Sequence, residues 1–184
     1  FMMVSRAQVS AKRVREVLNT ESSIDRNETS VLSVTEGTVS FENVSFSYPE
    51  AAGDSVLQGI NLEIKKGEFV AFLGATGSGK STLVNLIPRF YDVTAGAVKI
   101  DGHDVREYAT ASLRSEIGMV LQEAVLFSGT IMENIKWGNP DATDEEAVKA
   151  AKIAQADDFV SSFADGYETV LGQRGLSLSG GQKQ

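Results

Sequence analysis

The chain has 184 residues, 42% of them hydrophobic, and a net charge of −8, which allows a sizeable buried core but gives a poor surface for neutralising a nucleic-acid backbone. It contains no cysteine, which removes disulfides and cysteine-ligated zinc, and no apolar run approaches the roughly 18 residues of a membrane span. The charge is uneven: residues 1–18 carry +3, through Arg6, Lys12, Arg13 and Arg15 against Glu16, and the remainder carries −11.

The first 18 residues repeat apolar positions every three or four (Val4, Ala7, Ala11, Val14, Leu18), the period of a helix. A solvated basic face accounts for its charges. Residues 19–37 are polar, without a sustained period, and read as a linker. Two alternating segments follow. In the first, Val39 and Phe41 share one parity and Val44, Phe46 and Tyr48 the other, so a bulge is expected at Glu42-Asn43. In the second, Ile60, Leu62 and Ile64 alternate until Lys65-Lys66-Gly67 ends them as a turn; both read as half-buried antiparallel strands.

Next, the continuous apolar run 68–73 (EFVAFL) has the length of a strand covered on both faces in a parallel sheet. After it come Gly74, Ala75, Thr76, Gly77, Ser78, Gly79, Lys80, Ser81 and Thr82, and then a helix stopped by Pro88. Strand, glycine-rich loop and helix form the context of the phosphate-loop pattern G-x-x-x-x-G-K-[ST]. Backbone N–H groups can surround a phosphate only where side chains stay clear, and the start of a helix adds free donors and a positive dipole end. Lys80 supplies a point charge for β and γ phosphates, Ser81 a hydroxyl for a magnesium shell, and Thr82 one further bond.

Towards the end, Leu178-Ser179-Gly180-Gly181-Gln182 can be a capping box, since Gln182 follows Ser179 by three. The two glycines are not explained by capping, because each costs about 1 kcal/mol in a helical turn relative to alanine. Upstream, Thr143 and Glu146 form a second capping box, opening a helix through Ala147, Ala151 and Ala154.

The phosphate loop and LSGGQ together resemble the Walker A and signature motifs of the ATP-binding cassette (ABC) family. The resemblance implies an α/β fold of the P-loop NTPase class, with an antiparallel β subdomain, a RecA-like parallel-sheet core and an α-helical subdomain. It implies ATP and Mg2+ as cofactors, and a second nucleotide-binding domain as partner, each ATP lying between one subunit's phosphate loop and the other's Ser179, Gly180, Gly181 and Gln182. Tyr48 matches the family's adenine-stacking aromatic, with packing against the sheet as its alternative role. Gln122, after the strand-like IGMVL, matches the loop glutamine that touches the metal and signals to the transmembrane domain. With Lys80 it makes up the expected catalytic pair.

Residues 126–135 (LFSGTIMENI) and the amino-terminal SAKRVREVLNTE resemble the exporter branch. Residues 1–18 are then expected to be the cytoplasmic end of a last transmembrane helix, with its basic residues beside the membrane, 19–37 a linker and 38–184 part of a nucleotide-binding domain. The helical subdomain is expected over about 125–184. Residues 168–175 match the exporter cross-linking loop, with Gln173 where glutamate is common. No hydrophobic strand ending in the Walker B carboxylates follows the signature, and His103, in an expected turn, is no counterpart of the switch histidine. The expectation is a piece of a longer membrane exporter, inactive alone, whose ATPase domain faces the cytoplasm. The alternative is a nucleotide-binding half with little hydrolysis, told apart by whether glutamate follows the Walker B aspartate.

Overall fold

The computed structural model describes residues 2–20, 22–49, 55–172 and 178–184, with the side chains of 2–7 excepted. They divide into two compact units, Phe1–Gly118 and Met119–Gln184. The first unit opens with helix α1 (Met2–Leu18), whose residues from position 8 onward are exposed.

Strands β1 (Val39–Phe46), β2 (Leu57–Ile64), β3 (Ala95–Ile100) and β4 (His103–Asp104) form an antiparallel sheet in the order β2-β1-β3-β4. The alternation of β1 breaks where the sequence places the bulge. The register shifts between Phe41 and Val44, and Asn43 takes φ 48°. The extra residue returns Phe41 and Val44 to the same buried face although they are three apart. Across from it Gly96 is obligatory, because a Cβ there would lie 2.4 Å from the carbonyl oxygens of Glu42 and Asn43. The core under this sheet joins Phe41, Val44, Phe46, Val98 and Ile100 to Leu83 and Leu86 of α2 (Lys80–Leu86) and Leu113 of α3 (Thr110–Ser115). His103 pairs with Ile100 in β4 rather than sitting in the turn, which Asp101 and Gly102 form; its side chain is half exposed.

The strand expected over 68–73 is not formed. These residues run without a ladder partner, and Phe69 and Leu73 are 97% and 94% exposed while Phe72 packs on the core. Residues 117–121 likewise form no strand. A parallel strand needs neighbours brought by crossover connections. Among the described residues no strand pairs with these segments, so the parallel-sheet core is not assembled here although the α/β class holds.

Residues 25–38 are fastened within the first unit. The Asp25 carbonyl accepts from the Arg89 guanidinium at 2.8 Å, and the Asn27 side chain donates to the Glu107 carbonyl at 2.8 Å. The backbone N–H of Thr110 donates to the Arg26 carbonyl at 2.9 Å. Leu32 and Val34 pack on the core. The main fastening is Asp101, whose carboxylate accepts from the backbone N–H of Thr35, Glu36 and Thr38 at 2.8, 3.0 and 2.9 Å and from the Thr38 hydroxyl at 3.1 Å. Burial opposes the charge, but these donors outweigh it and hold the carboxyl well below its usual range.

A group depressed in this way stabilises the fold fully above its unfolded pKa, near 3.9, and loses that contribution only as pH falls through the lower folded value. Asp101→Ala is therefore expected to cost about 2–3 kcal/mol, a deficit unchanged between about pH 5 and 8 and shrinking only in stronger acid. Urea melts of both proteins across that range check it; a deficit that fades near neutrality would contradict the assignment.

In the second unit β5 (Gly129–Thr130) pairs with β6 (Val170–Leu171) beside α4 (Ile131–Lys136), α5 (Asp144–Ile153), α6 (Asp157–Ser161) and α7 (Gly180–Lys183). Its core is Ile131, Val160, Leu171 and Leu178. The capping box expected at Thr143 and Glu146 closes in both directions, and Ala147 and Ala151 are the buried residues of α5. Three acidic residues in that first turn favour the helix's positive end. Among the described residues no helix is long and apolar enough to cross a membrane.

Candidate nucleotide-binding site

Residues 74–79 lead from the unpaired segment into α2. Gly77 and Gly79 have φ 83° and 85°, a region that side chains disfavour. Gly79 is needed twice over, since a Cβ there would meet a Leu57 methyl at 2.9 Å. Gly74 has an ordinary φ, and a Cβ on it would lie 2.7 Å from the Ser78 hydroxyl. The loop is therefore closed around its own backbone, with the Ser78 N–H donating to the Ala75 carbonyl at 3.2 Å.

The Lys80 ammonium is drawn into this loop, donating to the carbonyls of Gly74 and Ala75 at 2.8 Å each and to the Ser78 hydroxyl at 3.3 Å. A cation held there is ready to exchange neutral carbonyls for phosphate oxygens, which bind it more strongly. Ser81 is exposed at the first turn of α2. Thr82 is buried and shares a 2.9 Å hydrogen bond with the Tyr48 hydroxyl. The phosphate loop and the aromatic beyond β1 are thus brought together within the first unit.

Thr76 and Ser78 are exposed on the loop. Among the described residues no group of three or more His, Asp or Glu could hold a metal by itself. The exposed Ser81 hydroxyl is the kind of oxygen ligand magnesium takes, since that ion binds through few protein oxygens and completes its shell with water and phosphate.

Gln122 and the signature residues belong to the second unit. Gln122 is exposed and follows no paired strand. The Ser179 hydroxyl accepts from the Gln182 N–H at 3.4 Å, and the Gln182 side chain accepts from the Ser179 N–H at 3.0 Å, so the capping box is real. The glycines are not explained by this unit's packing, because a Cβ on Gly180 or Gly181 would meet nothing within 4 Å. The Gln184 side chain donates to the Leu121 carbonyl at 3.1 Å, which sets the signature turn beside Gln122. Gln173 lies outside the described residues.

Two residues of the first unit escaped the sequence. Tyr91 packs edge-on to Tyr48, with ring centroids 5.2 Å apart, and Arg89 is buried with φ 54°, its guanidinium paired with Asp92 at 2.7 Å. Both lie just after Pro88, the residue that stops the helix, and no local pattern assigns either side chain a contact.

A glycine-rich loop leading into a helix, and a separate capped turn carrying LSGGQ, are the two motifs of an ATP-binding cassette domain. The family model described as ABC transporter matches residues 57–184, and the chain belongs to that family. It is 53% identical over 153 residues to a Staphylococcus aureus protein named for multidrug export as an ATP-binding/permease protein, covering 83% of this chain and 26% of that one. It is 57% identical over 148 residues to YgaD of Bacillus subtilis, which carries the same description, covering 80% and 25%. The chain thus spans about a quarter of the length of these relatives. The structure of a bacterial Atm1-family ABC exporter with ATP bound matches with a TM-score of 0.88 at 36% identity, covering 98% of this chain and 32% of that one.

Proposed function

We propose that the chain is the nucleotide-binding part of a membrane exporter, binding MgATP on the cytoplasmic side and hydrolysing it with a second nucleotide-binding domain. The observation that carries this reading is the Lys80 ammonium poised on the Gly74 and Ala75 carbonyls at the start of α2. Lys80 would hold the β and γ phosphates, the backbone N–H groups of 75–80 would surround them, and the Ser81 hydroxyl would join the magnesium shell. The magnesium held there would supply the positive charge that offsets charge developing on the phosphates. Catalysis by such a site is mainly positioning and electrostatics, which this chain supplies through a fixed backbone and one cation.

The open space over Gly180 and Gly181 supports their approach to a γ phosphate held by the partner domain. In the second unit Phe127 and Trp137 stack at 4.4 Å while staying 46% and 66% exposed, an aromatic surface suited to the chain's own transmembrane domain. Residues 1–18 would enter from that domain, with Arg13 and Arg15 near the lipid headgroups.

Tyr48 would stack on adenine. Tyr48→Ala in the full-length protein is expected to weaken MgATP binding by about 1–3 kcal/mol, read by calorimetric titration. An unchanged affinity would leave Tyr48 a packing residue.

A further inference from the structure

The ring of Tyr48 is not placed by a strand ladder. Strand β1 ends at Phe46, so the aromatic two residues on has no ladder to hold it. What holds it comes from α2, the connection that follows, and the last side chain of β1. Thr82, in the first turn of α2, takes the Tyr48 hydroxyl at 2.9 Å. Tyr91 meets the ring at 5.2 Å with the planes at 89°. The Thr94 hydroxyl accepts from the neighbouring Ser47 N–H at 3.0 Å. Phe46 closes the cluster, 4.8 Å from Tyr48 and 5.6 Å from Tyr91.

We propose that Tyr91 is a positioning residue for base recognition: with Thr82 it fixes the Tyr48 ring, so that the platform for the base is built from the helix that begins at Lys80. The inference rests on the reading of Tyr48 as that platform. Perpendicular aromatic pairs of this spacing favour one relative orientation over others. A hydroxyl tie to the first turn of α2 then sets the distance between the platform and the phosphate loop. Tyr91 stays 38% exposed, as a residue at the rim of a ligand site would be, whereas Phe46 beneath it is buried.

The two parts of the ligand can be tested separately. Calorimetric titration of the full-length protein with magnesium-ATP and with magnesium-tripolyphosphate, which carries the phosphates without a base, reads each. Tyr91→Leu is expected to weaken ATP binding about threefold to tenfold and to leave tripolyphosphate within about twofold. Tyr91→Phe, which keeps the ring, is expected to bind ATP like the parent.

Should Tyr91→Leu not fold, Tyr48→Phe offers the second handle: it keeps the ring, loses the Thr82 tie and is expected to show the same loss confined to ATP. Equal weakening of both ligands in either variant overturns the inference, because it would mark a general packing role. So does undiminished ATP binding in either variant when Tyr48→Ala does weaken it. If Tyr48→Ala itself leaves ATP binding unchanged, the platform reading fails and the inference falls with it.

Discussion

Lys80→Ala in the full-length protein is expected to lower ATP turnover by on the order of 10²–10³-fold, and to stop export with it, while the melting temperature hardly moves. Among the described residues the side chain bonds to its own loop, to the carbonyls of Gly74 and Ala75 and the Ser78 hydroxyl, and to no core residue. Removing it takes away the one cation of the loop. Glycines, helix N-terminus and Thr82 remain, so residual nucleotide binding is expected to persist more than turnover. Steady-state phosphate release from purified protein in lipid checks the first part, and thermal denaturation the second. Near-normal turnover would remove the phosphate-loop assignment.

The second large effect concerns the polypeptide of residues 1–184 by itself, which is expected to self-associate at micromolar concentration. Phe69 and Leu73 are almost fully exposed on a segment whose backbone has no ladder partner, and Val120, Leu121 and Val125 are exposed at 76%, 53% and 66%. Burying one such side chain is worth about 1.5–3 kcal/mol, and unpaired extended backbone beside it offers a template for another chain. Any soluble fraction is expected to hydrolyse ATP no faster than its Lys80→Ala control, on the hypothesis that the carboxylates of the family's Walker B strand lie outside these residues.

Size-exclusion chromatography with light scattering gives the first result. Phe69→Lys combined with Leu73→Lys is expected to reduce the association. Extending the polypeptide with the sequence that follows the signature in its 53% identical relative is expected to restore a single species. A monodisperse 1–184 polypeptide with Lys80-dependent turnover would show that a catalytic carboxylate lies within it.

The site was legible where it is made of backbone and local pattern. A phosphate loop needs glycine at set offsets, one lysine and a hydroxyl, in consecutive residues between an apolar run and a helix, and Gly74 to Thr82 meet all of these. The capping boxes at Thr143 and Ser179 were readable for the same reason: both partners sit three residues apart and meet through helix geometry alone. The bulge at Glu42-Asn43 was readable because the pleat has a fixed period, and a slipped phase requires an extra residue.

Sequence by itself therefore determined the fold class, the glycine-rich loop that leads into α2 and the capped turn at Ser179. Tertiary structure decided what depends on residues far apart in the chain. Nothing near Asp101 in sequence announces that its carboxylate will gather three backbone N–H groups from residues 35–38, and Asn27 finds its carbonyl partners some 80 residues away. The same holds for Tyr48, whose hydroxyl meets Thr82 only because β1 and α2 pack on one core. The continuous apolar run also marked 68–73 as a buried strand, yet such a run fixes only a preference for burial. Whether it becomes a strand is decided by neighbours that supply hydrogen bonds and cover its faces, and among the described residues those neighbours are absent.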